Sequence, residues 1–430
     1  FMREKERHLW LKKYRMQKKT EKSEKINKVL VFCPWEWYNL INEKTFTKVW
    51  GVPMAQSRKI STAELRRQNR NNIYRYFYDA QTPKTKQDIT NDLSLSLPTV
   101  TQNLRELMDA GLIEYAGLID SNGGRRARSM QMCADVQFAV GIELSPKHIR
   151  LAAVNLRADV IAYEKIACPF SNDVSYRQRM ARALEEFLDR FSLDRGRLLG
   201  VGITLPGIID EENGMIEVVP VFGLRKMRLS LLTELLPYPV FVENDANAGG
   251  FAEWWNHASF ETMAYLFIGK GVGGALLIDG KPYVGVQRRS AEFGHMCIAS
   301  NGKGCSCGRH DCLEAYCSTA RLSDDLDISV EDFFRGLHEG NEQYFAVWKN
   351  YLDALSVGIN NIRMMMDCPV VVGGTITPYL EEYLPDLVAR LSMRSSFDDD
   401  GSYLHLGRCG DRANCVGVAL HFIADFMKSI

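Results

Sequence analysis

Cys305, Cys307 and Cys312 place three thiols within eight residues, and His295 lies ten residues before the first of them. One imidazole and three thiolates at this spacing can close a tetrahedral zinc site around a short loop. Four protein ligands leave no open position for an activated water, so such a metal is structural. Gly304 and Gly308 supply the tight turns a knuckle of this kind needs. A disulfide loop and three unrelated buried thiols are the other readings of the same residues; nothing in the sequence looks secreted, which weighs against the disulfide. Glu292 and Glu314 bracket the cluster. A loop pinned at His295 and Cys312 would hold both carboxylates rigidly, and paired carboxylates suit the vicinal hydroxyls of a sugar.

The run Glu292-Phe-Gly-His295, followed by Gly304-Cys-Ser-Cys-Gly-Arg-His-Asp-Cys312-Leu-Glu314, closely resembles the signature of the ROK family, which comprises sugar kinases and related sugar-responsive repressors. The resemblance implies a two-lobed actin-like ATPase fold for the body. In Phe241-Val-Glu-Asn244-Asp245-Ala-Asn247, Asp245 matches the family's catalytic base and Asn244 a sugar-binding residue. Read on its own, an Asn-Asp pair after a strand is a turn or a helix cap. With the resemblance, Asn244, Asp245, Glu292, His295 and Glu314 form an expected hydroxyl-binding cluster, with Leu205-Pro206-Gly207 as a neighbouring loop.

The phosphate motif separates enzyme from sensor. ROK kinases carry an Asp and a Gly-Gly-Thr turn whose amides face the nucleotide; here Glu143 replaces the Asp, Ser145 and Pro146 the glycines, and Lys147 the threonine. Proline has no amide to offer and Lys147 adds bulk. The second phosphate loop survives in part as Gly269-Lys270-Gly271-Val272-Gly273-Gly274, and Gly373-Gly374 resembles the adenosine-side glycines. Kinase activity is expected to be lost, with slow residual phosphorylation, aided by Lys147 and Lys270, as the alternative.

These residues need a body to position them. The chain has 430 residues, a count that favours two or three domains. Its formal net charge of zero hides a segregation: residues 1–53 hold 13 Lys and Arg against 6 Asp and Glu, residues 54–132 hold 12 against 8, and the remainder 28 against 39. A basic head on an acidic body fits a DNA-binding unit joined to a small-molecule sensor. Residues 1–53 are either a basic arm or a poorly ordered extension, with Met54 a candidate start. No apolar run reaches membrane-span length, and a cytoplasmic location is expected.

Residues 54–132 read as a winged helix-turn-helix. A helix over Thr62–Phe77 precedes two more, the last opened by Ser96 and Pro98 and closed by Gly111. In that last helix Val100, Leu104, Leu107 and Met108 share a face, leaving Thr99, Thr101, Gln102 and Arg105 to enter a major groove. Leu112-Ile-Glu-Tyr-Ala reads as a strand, and the turn from Asp120 to Arg128 carries Arg125, Arg126 and Arg128 as wing cations. The segment also resembles the head of ROK repressors, which the kinases lack. Residues 133–430 form the expected body: one lobe about 133–245 plus a C-terminal helix at 410–430, the other about 246–409 with the zinc loop. Three antiparallel strands from Phe138, a helix over Tyr176–Phe191, buried strands at Leu198–Ile203 and Val240–Val242, and a mostly helical stretch from Asp325 to Leu391 are predicted. In that stretch Phe333, Phe334, Phe345, Trp348, Tyr351, Leu355 and Ile359 are expected core, and Met364-Met-Met366 packing. The expected whole is a repressor of carbohydrate-utilisation genes, a homodimer or homotetramer that binds operator DNA and a sugar or sugar-phosphate effector.

Overall fold

Helix α1 (Thr62–Asp79) buries Ile73, Tyr74 and Phe77, spaced so that one face turns inward. The two-residue strand β1 (Lys84–Thr85) leads into α2 (Lys86–Asp92), where Thr85 and Asp88 cap each other reciprocally. Ser96 caps α3 (Leu97–Asp109) by accepting from the Thr99 amide, Pro98 sits in its first turn, and Gly111 takes φ +70° just past its end. Strands β2 (Ile113–Ile119) and β3 (Ala127–Met132) pair antiparallel and β1 adds to β3, completing the head as a small sheet under three helices. The computed structural model describes residues 61–119, 126–257, 259–397 and 400–430, so the expectations for 1–53 and Arg125 fall outside the described residues.

The body starts with β4 (Phe138–Leu144), β5 (His148–Asn155) and β6 (Val160–Ala167), an antiparallel run followed by α4 (Val174–Arg190). Then come β7 (Leu198–Leu205), β8 (Ile208–Asp210), β9 (Met215–Val219), β10 (Leu224–Arg228) and β11 (Val240–Asn244). The first sheet has the order β11-β7-β4-β5-β6, with β7 parallel to β4 and β11 parallel to β7. Strands β8 to β10 make a separate antiparallel sheet that the residue pattern does not announce.

Helix α5 (Asp245–Asn256) crosses to the second sheet, built from β12 (Thr262–Ile268), β13 (Val272–Ile278), β14 (Lys281–Pro282), β15 (Val370–Gly373) and β16 (Leu404–Leu406) in the order β14-β13-β12-β15-β16. Between β14 and β15 lie the metal loop, α6 (Glu314–Cys317), α7 (Val330–His338) and α8 (Glu342–Met366); α9 (Leu384–Ser392) follows β15. β15 thus breaks the stretch expected to be mostly helical, and its four residues are all buried between β12 and β16. Phe345 is 64% exposed, because it lies in the first turn of α8, a turn before the buried run from Trp348 begins. Met364 and Met365 fall off that buried stripe and are exposed, while Met366 packs.

Helix α10 (Ala413–Ser429) returns across β4, β7 and α5. The approach is backbone to backbone: a Cβ at Gly141 would meet Cys415 O at 1.8 Å, and one at Gly417 would meet Ala248 O at 1.6 Å. Only glycine permits that contact at either site. One apolar cluster runs from Ile73, Tyr74, Phe77 and Leu104 of the head to Phe251, Val416, Leu420 and Ile423 of the body. Among the described residues no helix is long and apolar enough to cross a membrane.

Candidate ligand cleft and metal centre

β11 ends at Asn244, which becomes the N-cap of α5. Its Oδ1 accepts from the Asn247 amide at 3.0 Å and its Nδ2 donates to Gly207 O at 3.0 Å, tying the helix start to the Leu205–Gly207 loop. One amide hydrogen and one lone pair remain for a ligand. Asp245 accepts from the Ala246 amide at 2.9 Å. It retains some solvent contact, yet burial, with Glu143 and then Glu292 adding repulsion, pushes its carboxyl up to about 7. Burial likewise raises Glu292, with His295 opposing and Glu314 reinforcing the shift.

The raised carboxyl sets a sign for stability. The folded chain holds the Asp245 proton between about 4 and 7, where the unfolded chain has released it, so this group makes stability fall as pH rises through that window. Asp245→Asn is expected to raise Tm more at pH 8 than at pH 4, measured by calorimetry. An equal shift at both pH values would show that the carboxyl does not titrate in this way.

Glu314 opens α6 and already accepts a hydrogen bond at each oxygen. Its Oε2 accepts from the Val272 amide at 3.0 Å and its Oε1 from Ser306 Oγ at 2.8 Å, linking the metal loop to the glycine-rich turn before β13. On that turn Lys270 is paired with Asp324 at 3.1 Å.

The four metal donors converge. Donor atoms of His295, Cys305, Cys307 and Cys312 all lie within 4.8 Å of one another, with His295 Nδ1 4.0 Å from Cys305 Sγ and Cys307 Sγ 3.7 Å from Cys312 Sγ. A tetrahedron with Zn–S of about 2.3 Å has an edge of about 3.8 Å, so the spacing fits that ion. The loop carries backbone β-bridges between Gly304 and His310 and between Cys297 and Cys312, and Gly308 turns it at φ +83°. All described cysteines are free thiols, which removes the disulfide reading.

The phosphate turn is closed on itself. Ser145 N donates to His148 O at 3.0 Å, Ser145 Oγ to the same oxygen at 2.9 Å, and the His148 amide returns to Ser145 Oγ at 3.3 Å. Glu143 faces its cross-strand partner Arg150 with an ion pair of 2.6 Å, and Cys415 from α10 lies 3.8 Å away. Glu143 is thus buried and internally paired. Arg150 and Cys415 escaped sequence reading, because strand register sets Arg150 opposite Glu143 and Cys415 comes from α10.

On α3, Thr101, Gln102 and Arg105 are exposed, as expected. Thr99 is half-buried and its hydroxyl is held 2.8 Å from Ser96 Oγ. Asn103 is buried and donates to Thr99 O at 2.8 Å. Arg126 is exposed at the start of the returning wing strand. Arg128 belongs to β3 rather than to the turn, because pairing continues to Ile119 and Ala127; its guanidinium lies 5.3 Å over the Tyr115 ring.

The sequence profile of the ROK family matches residues 139–422. The chain belongs to the ROK family. Among its curated relatives, a xylose repressor of Caldicellulosiruptor bescii is 28% identical over 270 residues, covering 61% of this chain and 65% of that protein. The DNA-binding transcriptional dual regulator NagC of Escherichia coli is 26% identical over 253 residues, covering 58% of this chain and 62% of NagC. The aligned region thus spans just under two-thirds of either relative. A crystal structure of a ROK family transcriptional regulator, described as a homologue of the E. coli MLC protein, superimposes with a TM-score of 0.66 at 22% identity, covering 85% of this chain and 97% of that one. The shared fold of that ROK structure thus extends well beyond the body alone.

Proposed function

We propose that this ROK chain is a sugar-responsive transcriptional repressor of carbohydrate-utilisation genes. The observation that carries the reading is the pairing of three head helices and a small antiparallel sheet with a body whose phosphate turn offers no amide at Pro146 and bonds those of Ser145 and His148 internally. Repressor relatives support it. Thr101, Gln102 and Arg105 read the operator's major groove, with Thr99 at the helix start, and Arg125, Arg126 and Arg128 serve its backbone or minor groove. Two heads of a homodimer or homotetramer engage one inverted repeat.

A sugar or sugar phosphate binds by its hydroxyls to Asn244, Asp245, Glu292, His295 and Glu314. His295, Cys305, Cys307 and Cys312 hold a zinc ion that supplies no chemistry and stiffens the loop carrying three of those five residues. At neutral pH Asp245 is poised to donate or accept a hydrogen bond, which suits a hydroxyl in either role.

Fluorescence anisotropy of the full chain on DNA from upstream of its own gene, with and without D-xylose, N-acetylglucosamine, glucose and their phosphates, tests this. A sugar-dependent change in operator affinity is expected; tight binding indifferent to every sugar would leave the body as an oligomerisation unit only. The kinase alternative is favoured by the retained Asp245, whose pKa suits a general base. No sugar-dependent ATP consumption is expected; turnover that disappears in Asp245→Asn would establish the kinase instead.

A further inference from the structure

Helix α5 begins at Asn244 and Asp245 and ends against the head. Twelve residues make it roughly 18 Å long. Its Trp255 donates from Nε1 to Tyr78 Oη at 2.5 Å, and the two rings meet edge to face with centroids 6.1 Å apart. Tyr78 lies in the last turn of α1, the helix that supports α3. Its hydroxyl donates in turn to Arg157 O at 3.4 Å, and the Arg157 guanidinium donates back to Tyr78 O at 3.3 Å and Phe77 O at 3.5 Å. A cation from the β5–β6 hairpin thus caps the carbonyl end of α1, where the helix dipole favours it.

The rest of α5 is closely packed. Ala246, Ala248, Gly249, Gly250, Phe251 and Ala252 are buried. Phe251 stacks on His421 of α10 at 4.4 Å, and Gly417 brings the two helix backbones into contact. Close-packed interiors switch between arrangements instead of deforming smoothly, so a shift at the start of α5 arrives at Trp255. From there α1 leads to the DNA-reading helix: Arg70 donates to Glu106 of α3 at 2.9 Å and to Ile430 O at 2.5 Å.

We infer that Trp255, Tyr78 and Arg157 form the coupling joint through which occupancy of the cleft at the start of α5 repositions the head. They are positioning residues: they touch neither operator nor sugar and act through α1 on α3. The inference rests on the repressor reading above and adds the route by which it is regulated. Coupling between two sites of this kind is worth roughly 5- to 150-fold in affinity.

The test uses the full chain, its upstream DNA, and D-xylose, N-acetylglucosamine, glucose and their phosphates as probes. The measured quantity is the ratio of operator Kd with and without sugar. Trp255→Phe stays aromatic but loses the pyrrole part of the indole with its N–H; Tyr78→Phe keeps the ring and removes only the O–H. In either variant the ratio is expected to fall toward one, while operator affinity without sugar stays within about 2-fold of the unsubstituted chain. The double variant is expected to match either single one, because both cut the same link. A role in stability alone would lower Tm and leave the ratio intact, and that outcome overturns the joint. If Trp255→Phe loses its cooperative unfolding transition, Tyr78→Phe carries the same test with one hydroxyl removed. A ratio of one for the unsubstituted chain with every sugar overturns the repressor reading itself, and the joint with it.

Discussion

Cys307→Ser is expected to lose its metal and more than about 100-fold in sugar affinity, measured by titration calorimetry alongside metal content per chain. The serine hydroxyl does not ionise at neutral pH and is a poor match for zinc, so the site falls to three ligands. What matters for the sugar is the set of attachments that fails next. Glu314 is oriented partly by Ser306, which lies between Cys305 and Cys307 of the candidate metal cluster, and its other oxygen holds the Val272 amide. His295, three residues after Glu292, supplies the fourth donor of the candidate metal cluster. Without the ion, both carboxylates become attached to a loop free to reorganise, and a pocket built for vicinal hydroxyls must order them at binding. Unsubstituted protein stripped with a chelator is expected to behave as the variant does and to recover on adding zinc. Full sugar affinity in metal-free protein would show that the pocket stands without the loop.

How legible this molecule is in its sequence depends on whether a feature is local. The cluster of possible metal ligands, the caps of α2 and α3 and the apolar strand from Phe138 are short-range patterns, each fixed by spacing, by local composition or by one turn's chemistry. The internal closure of the Ser145–His148 turn was partly legible, since Pro146 announces a missing amide, but the Ser145 hydroxyl's choice of His148 O needs the hairpin's actual geometry. Features that depend on distant partners were not legible. Arg150 becomes the partner of Glu143 through strand register, and Cys415 reaches it only because α10 returns over glycine contacts. Trp255 and Tyr78 are 177 residues apart, and read separately each is one more aromatic residue at a helix end. Phe345 shows the converse error. Its position on a helical stripe is correct, but a stripe buries only where something lies over it.

The double substitution Gln102→Ala with Arg105→Ala is expected to weaken specific operator binding by about 100-fold or more, since each good base contact contributes about 1–3 kcal/mol of discrimination. Both side chains stand on the exposed face of α3, opposite the buried Val100, Leu104 and Leu107. Their present partners are weak. Arg105 is 84% exposed and 3.8 Å from Asp109, and Gln102 lies 3.3 Å from Glu106, so little is given up when either turns to a base edge. For the same reason Tm should change little, because exposed substitutions away from caps and core cost within about 0.5 kcal/mol. Arg126→Ala is the contrasting case: a wing cation on phosphate should weaken all DNA alike and lower the salt slope by about one. Comparing the two separates reading from gripping. If the double variant loses affinity equally for operator and random DNA, α3 only grips the backbone and sequence is read elsewhere. If it binds the operator unchanged, α3 is not the reading helix, and the route from cleft to DNA through α1 and Arg70 loses its last link.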